Sequence, residues 1–166
     1  CSNFTIMISS QRSKFTLPMG SVYLNCAYMS PLLKAVEKKG IAGILQKRNP
    51  AAVSPKDFFE TTEKVRKEYS KLIQAESNRV VLVPSASYGL ANVARNLNLS
   101  RTDNIIVTAE QFPSNYYPWQ RVQQTSGASL KMIAAPDTRT SRGAQWNERI
   151  LDAIDTNTKL VSLGHV

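Results

Sequence analysis

Cysteine is scarce: Cys1 and Cys26 are the only two in 166 residues. That is no disulfide framework and too few by themselves for a zinc site, so no metal is expected and a cytoplasmic, reducing compartment is the default. No apolar run approaches the ~20 residues needed to span a bilayer, which excludes a membrane helix as an expectation. The opening stretch, CSNFTIMISSQRSKF, has no continuous apolar segment after a basic start, so it does not read as a secretory signal. It begins with Cys1 rather than methionine, which places the expected true start upstream or at Met7. Internal repeats and low-complexity linkers are also missing. One domain is therefore expected over residues 17–166, behind a peripheral tail at 1–16.

Acidic residues are outnumbered, 12 against 21 lysines and arginines, for a net charge of +9. Such a balance draws polyanions. The bases are scattered, however, from Lys34, Lys38 and Lys39 to Arg66, Lys67 and Lys71. Zinc-finger spacing, an aromatic RNA-binding strand and a dense arginine tract are all absent. The charge reads as a solvated surface, with nucleic acid the least favoured partner.

What is present is organised around residues 80–95, VVLVPSASYGLANVAR. Residues 80–83 are aliphatic, and the spacing predicts a buried strand ending at Pro84. The turn Ser85-Ala86-Ser87 follows, and Leu90, Val93, Ala94 and Leu97 recur at helical steps. Backbone N–H groups that open a helix have no intrahelical acceptor and carry the positive end of its dipole, so a phosphate can sit there. Capping by Ser85 or Ser87 is the plainer alternative, and both readings stand.

The rest of the chain supplies further elements. Residues 22–24 are strand-like, and Ser30-Pro31 and Ser54-Pro55 are helix starts, serine at the cap and proline at the first helical position. Phe58, Thr62, Val65, Tyr69, Leu72 and Ile73 form one apolar stripe. Strands are expected at 105–108, 130–134 and 159–163, with helices at 117–124 and 147–155. The alternation predicts an α/β fold, a mainly parallel sheet with helices on both faces. The abrupt ending after a strand suggests a truncated protein. Residues 1–166 alone are expected to be marginally stable.

Four segments, in order, resemble motifs of one family: Tyr23-Leu24-Asn25-Cys26-Ala27, Ser85-Ala86-Ser87-Tyr88-Gly89, the loop from Glu110 to Trp119, and Leu163-Gly164-His165-Val166. The sequence is similar to the first part of the class V aminotransferases, pyridoxal-phosphate (PLP) enzymes of fold type I that include cysteine desulfurases and kynureninases. The resemblance covers about residues 20–166. It implies that Ala86 and Ser87 bind the cofactor phosphate and that Phe112 stacks on its ring. Desulfurases place a histidine at that position and kynureninase-like members a phenylalanine, which can stack but cannot move protons, so the departure speaks against classical desulfurase chemistry. Burial as a core residue of its loop is the plainer alternative for Phe112. The resemblance further implies that Asn25, Ala27 and Tyr28 approach the active-site mouth. Cys26 is expected to be a small buried thiol, His165 a structural residue, and Asn115 and Trp119 loop and helix packing positions, with Asn115 also a weaker site candidate. No catalytic residue is assigned, because the family's Schiff-base lysine and its pyridine-pairing aspartate fall beyond the last strand. The implied partners are an amino-acid substrate and, when complete, a second copy of the chain. A non-catalytic binding or assembly module on the same fold is the alternative.

Overall fold

The computed structural model describes residues 9–164; Cys1, Met7, His165 and Val166 lie outside the described residues. The chain divides into two compact units, Cys1–Val80 and Val81–Val166. Among the described residues no helix is long and apolar enough to cross a membrane.

Among the described residues, the first unit holds two α-helices, α1 (Lys34–Gln46) and α2 (Glu60–Leu72). The two Ser-Pro signals have different outcomes. At Ser54 the expectation holds: Asp57 accepts from the Ser54 N–H at 2.7 Å and from its hydroxyl at 2.9 Å, closing a 3-10 turn that leads into α2. At Ser30 it fails, because the hydroxyl donates to the Cys26 carbonyl at 3.1 Å and α1 starts only after Leu33. Leu33 is held extended, in an isolated antiparallel bridge with Phe15. Arg66 pins the end of the unit, donating to the carbonyls of Val80 (2.7 Å) and Ser77 (2.9 Å). The stripe on α2 has helical spacing but is not covered: Phe58, Val65, Tyr69 and Leu72 are exposed. Periodicity predicts the helix; it does not supply the surface that buries it. The strand expected at 22–24 is absent, and those residues are exposed.

The second unit contains α3 (Ala86–Asn96), β1 (Asn104–Thr108), α4 (Tyr117–Ser126), β2 (Ser129–Ile133), α5 (Arg142–Ala153) and β3 (Thr158–Ser162). The strands form one parallel sheet in the order β2-β1-β3. Moving from β1 to β2 and then back across β1 to β3 reverses direction. Right-handed crossovers therefore put α4 and α5 on opposite faces. Side chains alternate along β1, and both faces are sealed: Ile105, Ile106 and Val107 have no exposed surface. Ile105 and Val107 pack with Trp119 and Val122 of α4 and with Leu90, Ala94 and Leu97 from α3 and its end.

Strands and helices after residue 100 follow the sequence expectation to within a few residues, except that α5 begins at Arg142 rather than 147. The strand expected at 80–83 is a correction. Val80 is buried, but Val81, Leu82 and Val83 are exposed and join no ladder among the described residues. β-branched residues favour a strand only where a neighbouring strand and a packing surface meet them, and the three-stranded sheet does not extend to this segment.

Candidate functional site

The start of α3 decides between the two readings of its serine turn, and each takes a different serine. Ser85 is the cap: in extended backbone, it accepts from the Tyr88 N–H at 3.1 Å, while its carbonyl accepts from Gly89. The Ala86 and Ser87 N–H groups come two residues and one residue earlier than the capped one. Neither finds an acceptor among the described residues, and both residues are exposed. The first turn carries no acidic side chain, so nothing in it neutralises the positive end of the helix dipole. Two free N–H donors, one adjacent hydroxyl and an uncompensated dipole make an anion cradle.

Ser87 lines a groove of about 880 Å³ between α3 and α4, together with Pro113, Ser114 and Tyr117. The loop that follows β1 therefore reaches the same groove as the start of α3. Phe112 precedes Pro113 in that loop and is 73% exposed, its ring free of the core cluster. The chain reaches Phe112 through Glu110, whose φ of 60° is left-handed, a conformation that costs an L-residue roughly 1–2 kcal/mol.

Behind the loop is a polar network centred on Asn115, the weaker of the site candidates. Asn115, only 9% exposed, donates to Gln111 Oε1 at 2.6 Å and to the Ser162 carbonyl at 3.5 Å. Its Oδ1 accepts from the Ser162 hydroxyl at 2.5 Å and from Trp119 Nε1 at 3.3 Å. Gln111 donates in turn to the Thr108 hydroxyl. Gln111, Asn115 and Trp119 follow at four-residue steps, a spacing that would have flagged them as neighbours on one helical face. Trp119, 1% exposed, is the packing residue expected of it.

Asn25, Ala27 and Tyr28 lie in the first unit, in an exposed turn closed by the Tyr28 N–H on the Asn25 carbonyl at 3.2 Å. Cys26 in the same turn is free and exposed, which corrects the expected buried thiol: the turn lies on the unit's surface, where no described residue covers the sulfur. Within the second unit, Ser87 and the loop residues Pro113 and Ser114 thus line one groove, which neither Ala86 nor Phe112 lines.

Comparison with known proteins gives these observations a family context. A family model described as aminotransferase class-V matches residues 48–166. A cysteine desulfurase of Salmonella newport (strain SL254) is 32% identical over 111 residues, 64% of this chain and 26% of that protein. A protein of Methanothermobacter thermautotrophicus described as a probable cysteine desulfurase is 27% identical over 104 residues, 63% of this chain and 25% of its own length. The chain thus spans about a quarter of the length of these curated relatives. Among solved structures, a C-DES mutant with glycine covalently linked to its PLP cofactor superposes with a TM-score of 0.72 at 17% identity, over 95% of this chain and 41% of that one. That likeness concerns the fold.

Proposed function

Since the chain belongs to the aminotransferase class-V family, we propose that the whole protein is a PLP-dependent enzyme acting at the Cα of an amino acid, with residues 17–166 forming part of its large domain. The observation that carries the reading is the start of α3, where Ala86 and Ser87 offer two unsatisfied N–H groups at an end without acidic side chains. A phosphate monoester fits these donors in charge and number. The flat, exposed ring of Phe112, one residue before the Pro113 that lines the groove with Ser87, fits one face of a pyridine. When bound, the protonated pyridine ring of PLP draws electrons from the bonds at the substrate Cα.

In this reading the chain's own residues anchor and orient. Ala86 and Ser87 fix the phosphate end, and Phe112 fixes the ring's tilt by contact alone. Phenylalanine has no exchangeable proton, so any proton moved at the substrate is handled by another group. Asn25, Ala27 and Tyr28 belong to the substrate mouth. The cysteine desulfurase names of the relatives support a sulfur-bearing amino acid as substrate class. None of the lysines here lies in the family's covalent-lysine motif, so residues 1–166 by themselves are inactive. The complete enzyme is a homodimer of the cytoplasm.

The phosphate is what the cradle selects. The whole protein, stripped of cofactor and titrated by fluorescence, should bind PLP at least about a hundredfold more tightly than pyridoxal, from two charge-assisted hydrogen bonds. Equal affinities would contradict the reading.

A further inference from the structure

The β1–β3 ladder stops short of the loop that carries Phe112. Its last register pair is Val107 with Ser162, whereas on the β2 side pairing continues through Thr108 with Ile133 and the Ala109 N–H on the Ile133 carbonyl at 2.8 Å. Beyond that ladder, the side-chain hydrogen bonds that join the loop after β1 to β3 among the described residues all belong to Asn115. It bonds both the hydroxyl and the carbonyl of Ser162, and it holds Gln111, which reaches back to Thr108. Its own N–H donates to the Phe112 carbonyl at 2.8 Å, so the same residue grips the loop on both sides of Phe112.

Glu110, in its left-handed conformation, lies between Thr108 and Gln111, the two residues that the Gln111 side chain joins. Strained backbone of this kind persists where surrounding bonds over-determine it. The Phe112 side chain, largely exposed, has little packing of its own to fix it. Where its ring stands is therefore decided by the backbone of residues 109–112, and that backbone is set by the Asn115 tie.

We propose that Asn115 is a positioning residue: it ties the loop after β1 to the end of β3 and so fixes where Phe112 is presented to the cofactor. The proposal rests on the PLP reading for its consequence and on the tie alone for its mechanism, and the experiment separates the two. In the cofactor-free whole protein, amide hydrogen exchange at 109–112 should rise by at least about tenfold in Asn115→Ala, because the tie loses more than one buried hydrogen bond, with α3 unchanged. Ser162→Ala, which removes one bond at a half-buried position, should move the same amides less and keeps the test open if Asn115→Ala does not fold.

The PLP dissociation constant should rise about tenfold in Asn115→Ala, and the effect should largely vanish in a Phe112→Ala background, because Asn115 acts through that ring. Additive effects in the double variant, or faster exchange with unchanged PLP affinity, would overturn the positioning role and leave Asn115 merely structural. Unchanged exchange at 109–112 in every folded variant would overturn the tie itself. If the wild-type protein takes up no PLP, the cofactor reading falls, and faster or unchanged exchange in Ser162→Ala alone supports or overturns the tie.

Discussion

Replacing Ala86 by proline removes one donor from the cradle while leaving the helix intact, a separation that few substitutions allow. Ala86 is the first residue of α3, where proline's fixed φ suits the helix and its missing N–H breaks no internal bond. The residue before it, Ser85, already has φ −161° and ψ 161°, within the extended region that a following proline demands. The Ala86 N–H has no acceptor among the described residues, so no protein hydrogen bond is lost. Unfolding free energy should therefore change by no more than about 0.5 kcal/mol. Loss of one charge-assisted hydrogen bond to a phosphate, about 1.5–3 kcal/mol, should weaken PLP binding roughly 10- to 150-fold. Ala86→Gly keeps the N–H and should keep the affinity. The assay is a fluorescence titration of the whole protein with PLP and with pyridoxal, beside a urea melt of each variant. Pyridoxal, lacking the phosphate, should bind parent and variant alike. A proline variant that is stable and binds PLP as tightly as the parent would refute the assignment of this N–H to the phosphate.

Phe112→Ala should leave stability within about 0.5 kcal/mol, because the ring is largely exposed, yet weaken PLP binding by about 0.5–1.5 kcal/mol of stacking; Phe112→His should retain most of it. A large loss of stability in the urea melt would make Phe112 a core residue instead. Gly127 ends α4 at φ 77°, and a Cβ there would lie 2.7 Å from Arg101 Cγ. Gly127→Ala should cost about 1–2 kcal/mol from the left-handed backbone plus the collision, and adding Arg101→Ala should recover only the collision. Asp155 is held well below the usual carboxylate range, first by the Lys131 ammonium at 2.7 Å, then by the Asn104 amide and the Asn157 N–H. Its folded value lies below its unfolded one, so its contribution is complete above about pH 4 and is lost as pH falls further. Urea midpoints should decline more steeply on the acid side in the parent than in Asp155→Asn.

What could be read from the sequence divides by range. The elements after residue 100 announce themselves locally, through aliphatic runs and a glycine at the end of α4. The serine turn was equally legible, although only the structure shows that Ser85 takes the cap and leaves Ala86 and Ser87 free. Identical Ser-Pro signals at 30 and 54 diverge because Asp57 stands three residues after Ser54, whereas Leu33 holds that place after Ser30 and has no oxygen to return. Residues 81–83 look like a strand because β propensity describes the residue and not the partner that would complete a ladder. The Asn115 tie was the least legible, since its key bond spans 47 residues. Local spacing could flag Gln111, Asn115 and Trp119 as neighbours, but nothing local points to Ser162.

The central claim is that the start of α3 holds the cofactor's phosphate. A crystal structure of the whole protein with PLP tests it most directly. The account predicts phosphate oxygens about 2.7–3.2 Å from the Ala86 and Ser87 nitrogens, with the cofactor ring against Phe112. A phosphate bound elsewhere, with those two N–H groups facing only water, would contradict it.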